Sequence, residues 1–374
     1  MNAPKLATMT APHPEPRRIL IVRLSALGDI VMASGLIPAL KTRFPNAEIS
    51  WVCEPVCAPL LKHNPRLKQV IIWQRGEWQA MWKAKRYLEL WRAIRAFRSQ
   101  LRAEHFDLVL DGQGLLKSGL VAWFTGAPRR VSIIAREGSH RLVHEVVTPP
   151  PGADPVMGSE YRYLAHYLGA PEGSFVHDLA VGGAQRVRAR EVLRERLKAA
   201  WGGGPSNDAG TEPRPLVVLA PFTTRPQKHW VEANWSELGR RMLEQGLQPV
   251  VLGGPADREA AERVCAGQPR LLNLAGALKL DESVALIADA QLLVGVDTGL
   301  THMGSALRIP TVALFGSTRP YREGPTPRTR ILYDNLPCSP CRRRPTCNGA
   351  FTCMTGLTTE RVLQAALIQL ETQS

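Results

Sequence analysis

Short apolar runs recur along the chain, and longer amphipathic stretches lie between them. The first run, at residues 18–24, is almost continuously apolar, which is typical of a central parallel strand covered on both faces. Strands that alternate with helices indicate a parallel α/β sheet. We therefore predict further strands at residues 49–52, 70–73, 107–110, 130–134, 216–220, 248–252, 292–295 and 311–315.

The alternation of strands and helices occurs twice, which predicts an α/β protein with two doubly wound domains. The chain has 374 residues, and a domain usually has about 100–200. We place the boundary near residues 175–183, before a charged helix at 184–201 and a flexible loop at 202–215. The predicted parts are a disordered tail (1–17), a first domain (18–180), a second domain (181–358) and a C-terminal helix (359–374). We expect the two domains to face a central cleft, because ligands of such folds bind beyond the carboxyl ends of the strands.

Composition and charge limit the class of protein. Hydrophobic residues make up 44% and charged residues 21%, as in soluble globular proteins. No stretch approaches the roughly 18 apolar residues of a membrane-spanning helix, and the N-terminal residues lack the apolar segment of a secretory signal. We therefore expect a cytoplasmic protein. The net charge of +14 indicates an anionic partner, and charge alone leaves nucleic acid, lipid headgroups and phosphorylated substrates open.

Two predicted strands are followed by loops with polar residues. Asp29 follows the first strand and directly precedes an apolar helical stretch, so it is either a helix N-cap or a base that faces the cleft. The loop at residues 221–230 combines hydroxyl groups with a lysine, a set that can hold phosphate oxygens. The alternative for this second loop is an ordinary polar loop that happens to be basic.

The strand at residues 292–295 leads into the most informative loop. A small-residue turn and a helix follow this buried strand, and free amides at a helix N-terminus favour a diphosphate. The polar and small residues of this loop are Asp297, Thr298, Gly299 and His302. The first two residues could equally be structural caps, and the histidine could be a packing residue. Another polar loop follows residues 311–315, and three such loops at one edge favour a ligand site.

Five motifs in order resemble a known family: RLSALGDI, DGQGLLKSG, TTRPQKHW, GVDTGLTHMGSAL and TVALFGSTRP. Together they are similar to the bacterial lipopolysaccharide heptosyltransferases of glycosyltransferase family 9, over residues 18–370, and most similar to the type I branch. The resemblance implies a GT-B architecture with two Rossmann-like domains, the first for the acceptor and the second for the donor. It also implies inverting transfer of L-glycero-D-manno-heptose from ADP-heptose to the Kdo region of lipid A, in lipopolysaccharide inner-core synthesis.

The resemblance further implies roles for individual residues. Asp29 matches the general base, and Lys117 and Gln113, both in DGQGLLKSG, match acceptor-binding positions. Donor binding is implied for Thr223, Thr224, Lys228, Asp257, Leu278, Asp297, Thr298, Gly299 and His302. Within this set, Asp257 would bind the ribose hydroxyls and Leu278 would pack on the adenine. No pair of carboxylates is placed to hold Mg²⁺, so we expect a metal-independent reaction that needs no cofactor besides the donor substrate.

Four cysteines near the C-terminus depart from the pattern of the type I branch: Cys338, Cys341, Cys347 and Cys353. Four cysteines at short spacing can bind a structural zinc ion, although the spacing is not that of a standard zinc finger. Free thiols or a labile disulfide are the alternatives. Three arginines at residues 342–344 lie between the cysteines and offer a third function, contact with phosphate.

Residues 75–102 form a basic segment with interleaved tryptophans. It contains eight Lys or Arg residues and two Glu residues, together with Trp78, Trp82 and Trp91. Such a segment is typical of an interfacial helix at an anionic membrane, and a solvated helix with its tryptophans in the core is the alternative. We expect a peripheral contact with the phosphorylated lipid acceptor or the inner membrane on its cytoplasmic face, and a monomeric protein.

Two other classes of protein are alternatives to a glycosyltransferase. A nucleic-acid-binding protein would explain the charge, but no helix-turn-helix or RNA-binding signature is present, so we expect no nucleic acid partner. A nucleotide-sugar epimerase or dehydrogenase would need a glycine-rich fingerprint after the first strand, where the chain reads SALGDI. Within the family, heptosyltransferase II or another core-sugar transferase stays open.

Overall fold

The computed structural model describes residues 14–150, 155–201 and 214–371, which fall into two compact units. The first unit ends at Ala180 and the second begins at Val181, except that Pro155–Met157 belongs to the second unit. Residues 1–13 of the predicted tail, 202–213 of the predicted loop and 372–374 of the predicted last helix lie outside the described residues.

The first unit contains a six-stranded sheet in which every pair of neighbours is parallel. Its strands are β1 (Arg18–Val22), β2 (Glu48–Cys53), β3 (Leu67–Ile72), β4 (Leu108–Asp111), β5 (Arg129–Ile133) and β6 (Glu145–Val147). The order across the sheet is β3-β2-β1-β4-β5-β6, the order of a Rossmann domain. The α-helices are α1 (Leu27–Ala33), α2 (Leu36–Arg43), α3 (Arg75–Lys83), α4 (Tyr87–Ala103), α5 (Leu116–Phe124) and α6 (Ser159–Tyr167).

The second unit repeats this topology. Its strands are β7 (Leu216–Ala220), β8 (Gln248–Val251), β9 (Leu272–Asn273), β10 (Leu292–Val296), β11 (Thr311–Leu314) and β12 (Thr329–Leu332). They are parallel throughout, in the order β12-β11-β10-β7-β8-β9, which is the same order as in the first unit when counted from β7. The α-helices are α7 (Gly183–Trp201), α8 (Glu232–Glu244), α9 (Arg258–Cys265), α10 (Leu280–Ala288), α11 (Gly299–Ala306), α12 (Thr352–Thr355) and α13 (Thr359–Glu371).

The predicted fold class, two doubly wound α/β domains, is confirmed, and so are all nine predicted strands to within a few residues. Three strands were not predicted: β6, β9 and β12. They are short edge strands that are only partly buried, so they lack the continuous apolar run of the central strands. The arrangement of the two domains around a common cleft stays a prediction.

The apolar stretch after Asp29 is helical, as expected, but it is not one continuous helix. The chain forms two helices, α1 and α2, and α1 begins at Leu27, ahead of Asp29. At the junction, a Cβ atom on Gly35 would lie 2.6 Å from the ring of Phe175, so this close contact leaves room only for glycine.

The topology fixes where ligands can bind in each unit. In a doubly wound sheet the crevice lies where the strand order reverses, which is between β1 and β4 in the first unit and between β7 and β10 in the second. The residues predicted for catalysis and acceptor binding follow β1 and β4, and most of those predicted for the donor follow β7 and β10. Among residues 14–150, 155–201 and 214–371, no helix has the length and apolar character that spanning a bilayer requires.

Candidate functional site

Asp29 lies in the first turn of α1, after β1. It is the third residue of the helix and not its N-cap, which is Ala26, so the predicted capping position is wrong. The Asp29 carboxylate still stabilises the N-terminus of α1, because its Oδ2 atom accepts a hydrogen bond from the backbone N–H of Ala26 at 3.1 Å. The side chain is 37% exposed, so the carboxylate is both held by the loop and open to a substrate.

Arg23 holds the Asp29 carboxylate in position through an ion pair. Its Nη2 atom lies 2.5 Å from Oδ2 of Asp29, and its Nη1 atom donates to the carbonyl oxygen of Gly112 at 3.0 Å. Its guanidinium also lies 5.9 Å from the ring centre of the buried Tyr161. Burial alone would lower the pKa of Arg23, but its interactions with Tyr161 and with the Asp29 carboxylate raise it above its ordinary value. Arg23 is therefore a permanent cation that orients Asp29.

Lys117 lies at the start of α5 and joins a second group of polar residues beside the same loop. Its Nζ atom lies 3.4 Å from Oε1 of Glu54 and 3.5 Å from Oγ of Ser25. The same oxygen of Glu54 is 3.7 Å from Nη1 of Arg75. The Glu54 carboxylate thus bridges the two cations, Lys117 and Arg75, and the side chains of both cations are partly exposed. An anionic group of a substrate could bind to this pair of cations.

Gln113 has a structural contact in addition to its predicted role in acceptor binding. Its side-chain Oε1 accepts the backbone N–H of Leu24 at 3.2 Å, which ties the loop after β4 to the end of β1. Asp111 shapes the same loop by accepting the N–H groups of Gln113 and Gly114. Burial raises the pKa of Asp111. Gly114 has a φ of +64°, which a side chain would disfavour.

Asp297 is the centre of the site in the second unit and follows β10. Its Oδ2 atom forms an ion pair with Nζ of Lys228 at 2.6 Å, and its Oδ1 atom lies 3.2 Å from Nε2 of His302. Thr318 donates a further hydrogen bond to Oδ2. Burial would raise the pKa of Asp297, but the hydrogen bonds and charges of His302 and Lys228 outweigh it and hold this pKa well below its usual range. The carboxylate is thus ionised over the whole physiological range.

His302 is a member of this group and not a lone packing histidine. It lies on α11 and is buried, with Nδ1 at 3.0 Å from the hydroxyl oxygen of Tyr321. Thr318 and Tyr321 come from the polar loop after β11, so three loops at the sheet edge are joined by hydrogen bonds through Asp297. The predicted convergence of the second-unit loops is confirmed in this respect.

The remaining donor residues after β7 and β10 differ in exposure. Thr223 donates to the backbone carbonyl of Asp297 at 3.4 Å, whereas Thr224 is exposed. Thr298 is the N-cap residue of α11, but its side chain makes no capping hydrogen bond, and Gly299 is the first helical residue. The first amides of α11 therefore begin beside Lys228, which is the arrangement that favours a phosphate group.

Asp257 and Leu278 lie away from this group, on the β8 side of the sheet. Asp257 ends a short 3₁₀ helix, and its Oδ2 accepts the N–H of Gly254 at 2.8 Å. Leu278 is only 8% exposed and precedes α10. Asp257 thus has a local structural contact and Leu278 is buried, and their predicted ribose and adenine contacts stay predictions.

The four cysteines of the C-terminal segment are free thiols in this structure. Their segment contacts the donor loops through its backbone: the N–H of Arg342 donates to Ser317, and Gln227 donates to the carbonyl of Arg342 at 3.0 Å. In the described part of the chain, no three His, Cys, Asp or Glu side chains come close enough together to hold a metal ion. The segment thus braces the loops after β7 and β11.

Sequence reasoning missed Arg23, Glu54 and Tyr321. Arg23 did carry a signal, since a charged residue directly after a buried apolar strand needs a partner. Glu54 follows β2 at the same sheet edge and could have been found in the same way. Tyr321 carries no local signal, because its contact with His302 depends on how two distant loops fold together.

Two consecutive Rossmann-like domains with the same strand order define the GT-B class of glycosyltransferases. Residues 94–351 match the family described as glycosyltransferase family 9 (heptosyltransferase), and the chain belongs to this family. The earlier resemblance to family 9 is therefore confirmed.

Three similar proteins illustrate the relationship. Lipopolysaccharide heptosyltransferase 1 of Pseudomonas aeruginosa is 30% identical, over 87% of this chain and 86% of its own. Lipopolysaccharide heptosyltransferase 2 of Salmonella typhimurium is 27% identical, over 93% of this chain and 97% of its own. The solved structure of the Escherichia coli ADP-heptose lipopolysaccharide heptosyltransferase II superimposes with a TM-score of 0.74 at 24% identity, over 95% of this chain and 99% of its own, which shows a shared fold.

Proposed function

We propose that the protein transfers L-glycero-D-manno-heptose from ADP-heptose to the Kdo region of lipid A, with inversion, during synthesis of the lipopolysaccharide inner core. Its family supports the reaction class, and the names of its relatives support the donor and the lipopolysaccharide acceptor. The observation that carries the proposal is the buried Lys228–Asp297–His302 group beside the N-terminus of α11, because this arrangement is suited to a diphosphate.

Asp29 acts as the general base in this proposal. The acceptor hydroxyl oxygen attacks the anomeric carbon from the face opposite ADP and gives its proton to the Asp29 carboxylate. Arg23 holds that carboxylate in place at 2.5 Å. Proton transfer to a positioned base typically contributes about 10²–10⁴-fold in rate. The new glycosidic bond forms as the bond from the anomeric carbon to the diphosphate oxygen breaks, and ADP leaves with that electron pair.

Stabilisation of the departing ADP is assigned to the second unit. Lys228 supplies a point charge, the threonine hydroxyls and the first amides of α11 supply hydrogen bonds, and Asp297 keeps Lys228 and His302 in position. Preorganised groups of this kind account for a large part of many enzymatic rate enhancements. We propose that this set performs the reaction without a metal ion, so EDTA should leave the rate unchanged; full dependence on added Mg²⁺ would contradict this.

The cation pair beside the catalytic loop suits an acidic acceptor. Lys117 and Arg75 share Glu54 as their counter-ion, and both retain exposed surface. A carboxylate of a Kdo sugar or a phosphate of lipid A would bind between them as a second anion. We infer that these residues orient the acceptor, which adds Arg75 to the predicted Lys117 and Gln113.

An assay with defined acceptors tests the proposal. Purified protein is incubated with ADP-heptose and either Kdo₂-lipid A or its singly heptosylated product, and the products are identified by mass spectrometry. Type I activity predicts transfer to the first acceptor only. Transfer to the second acceptor only would show a type II enzyme, a candidate that the 27% identity to a heptosyltransferase 2 keeps open. Transfer to neither would contradict the proposal.

We further propose that the protein works as a monomer on the cytoplasmic face of the inner membrane and uses no nucleic acid. Its acceptor is a membrane lipid in this proposal, and its net charge of +14 favours an anionic surface. Cell fractionation should find a portion of the protein on inner membranes that high salt releases. A fully soluble distribution at low salt would contradict the membrane contact, and light scattering of the purified protein checks the monomer.

A further inference from the structure

The helices α3 and α4 expose more apolar surface than their fold requires. α3 contains no fully buried residue, and α4 buries only Phe97 and Leu101 in its second half. Trp78 is the one tryptophan of the segment that packs inward, edge-on against Trp73 and Phe97. Trp82, one turn later on α3, is 63% exposed.

The exposed aromatic residues form one continuous line. The rings of Trp82 and Tyr87 meet edge-on at 5.3 Å across the junction of α3 and α4. Trp91 lies one turn after Tyr87, and the guanidinium of Arg95 lies 4.6 Å from the Trp91 ring centre. One exposed aromatic residue on a soluble protein needs no explanation, but a contiguous row of them indicates an interaction surface.

The line continues onto α5. The guanidinium of Arg98, one turn after Arg95, lies 5.2 Å from the ring centre of Trp123. Trp123 shares an exposed face of α5 with Leu116 and Leu120, at spacings of three and four residues. We define the aromatic face as the exposed side chains of residues 82–87 together with those of Trp91, Trp123, Leu120 and Leu116.

Basic residues accompany the aromatic face along its length. Residues 83–98 contain six Lys or Arg residues and a single acidic residue, Glu89, which pairs with Arg86. Aromatic rings at headgroup level together with flanking lysine and arginine are what an anionic lipid surface binds. A second copy of the chain would place these same positive charges opposite each other, which disfavours a symmetric dimer.

We propose that the aromatic face docks onto the surface of an anionic phospholipid bilayer. The two leucines of α5 favour lipid over single-stranded nucleic acid, because aliphatic side chains offer no surface for base stacking. Trp82, Tyr87, Trp91 and Trp123 enter the headgroup region, and Arg92, Arg95 and Lys83 contact phosphates. The sequence pointed to residues 75–102 alone, whereas the structure adds α5 to the surface.

The addition of α5 connects the membrane surface to the acceptor residues. Lys117 lies in the first turn of α5, between the exposed Leu116 and Leu120, and contacts Glu54 beside the catalytic loop. A lipid whose chains lie in the bilayer under α5 would therefore bring its anionic headgroup towards Lys117. This step rests on the proposed function, whereas the docking of the aromatic face does not.

Vesicle flotation with the full chain tests the docking. The probes are vesicles of phosphatidylcholine and the same vesicles with phosphatidylglycerol added. We compare wild type with the variants Trp82→Ala/Trp91→Ala and Arg92→Gln/Arg95→Gln. A matched control, Arg194→Gln/Arg196→Gln, removes two exposed charges from α7 in the second unit. Thermal melts confirm that each variant is folded.

We expect wild type to bind only the anionic vesicles and to be released by salt. Each arginine removed from beside the aromatic face should weaken vesicle binding roughly fivefold. Replacement of the two tryptophans should weaken binding at least as much. The control should bind as wild type does. No binding to anionic vesicles, equal loss in the control, or displacement of the vesicles by a single-stranded oligonucleotide would overturn the proposal.

A parallel activity measurement separates this proposal from the proposed function. The tryptophan variant should keep full transfer to a water-soluble, de-acylated Kdo₂-lipid A acceptor and lose transfer to the same acceptor embedded in vesicles. Wild type that binds vesicles but transfers to neither acceptor would refute the enzyme function and leave the docking surface intact. Equal activity of variant and wild type on the embedded acceptor would refute the role of the surface in catalysis.

Discussion

Arg23 and Asp29 show how a buried cation can set the position of a reacting group. Arg23 has two fixed partners, Asp29 and the carbonyl oxygen of Gly112, so the guanidinium connects the loops after β1 and β4. Because a displacement of about 1 Å in a reacting group can cost roughly 100-fold in rate, this connection matters for the proposed proton transfer.

Substitution of Arg23 should therefore lower kcat selectively. We expect Arg23→Met to reduce kcat about 100-fold without a change in the KM for ADP-heptose, and Arg23→Lys to recover part of the rate because the charge is restored. Steady-state kinetics of both variants measure this. A parallel loss in both variants with a raised KM would show that Arg23 only supports the fold.

Lys228 should contribute to donor binding in the second unit. We expect Lys228→Ala to weaken the affinity for ADP about 10- to 100-fold, because a hydrogen bond to a charged phosphate is lost. Isothermal titration calorimetry measures the affinity, and Lys198→Ala, which removes an exposed lysine from α7, is the control. Unchanged affinity in Lys228→Ala would reject the role of this residue.

Asp297 should make stability depend on acid pH. Its pKa is lowered by folding, so its ion pairs stabilise the protein above the unfolded value of about 4, and this stabilisation is lost as the pH falls further. We expect urea unfolding of wild type to become easier below about pH 4 more steeply than that of Asp297→Asn. Parallel pH profiles would contradict the assigned charge state. At neutral pH the variant should lose about 3 kcal/mol, because the largely buried ammonium group of Lys228 loses its anionic partner.

For individual residues, the sequence predicted which loops carry the candidate site but not how the residues of these loops pair. Lys228, Asp297 and His302 were predicted from their loops, and the structure joins them in one group. The partner Tyr321 depends on a contact between two loops that fold together, which no local pattern contains, whereas Arg23 is a charged residue directly after a buried strand and could have been found. Asp29 is not the N-cap of α1, because this helix already begins at Leu27.

Among the elements, the junction of α1 and α2 illustrates a contact that helical periodicity does not show. The hydrophobic pattern continues through Gly35, but α1 ends at Ala33 and α2 begins at Leu36, and Phe175 packs onto the glycine between them. Three of the four edge strands, β6, β9 and β12, escaped prediction for a related reason. β9 and β12 form because a neighbouring strand offers hydrogen bonds, and their own composition is unremarkable.

A pair of glycine substitutions tests the packing at this junction. Gly35→Ala should destabilise the protein by about 1–3 kcal/mol, because the new methyl group would meet the Phe175 ring at 2.6 Å. Gly76→Ala in α3 is the matched control, since no atom lies within 4 Å of its new Cβ, and it should be neutral or slightly stabilising. Thermal unfolding compares the two, and equal melting temperatures would contradict the packing argument.

At the scale of the whole molecule, the chain is built from two copies of one topology. Both sheets have the same strand order, and both place most of their predicted residues where that order reverses. The alternation of apolar runs predicted the two sheets because buried parallel strands need apolar residues on both faces. The strand order itself could not be predicted from these runs, because it depends on long-range pairing.

The proposed mechanism divides the chemistry between the two units. In this mechanism the first unit supplies the base and the second supplies the groups that hold ADP, so the two functions should be separable by substitution. Asp29→Asn tests this most directly, since asparagine keeps an oxygen that can accept the hydrogen bond from Ala26 but removes the base.

The measurement is turnover of ADP-heptose by Asp29→Asn together with its affinity for ADP. Turnover should fall by at least about 100-fold while the affinity for ADP equals that of wild type. Turnover close to that of wild type would show that Asp29 is not the base.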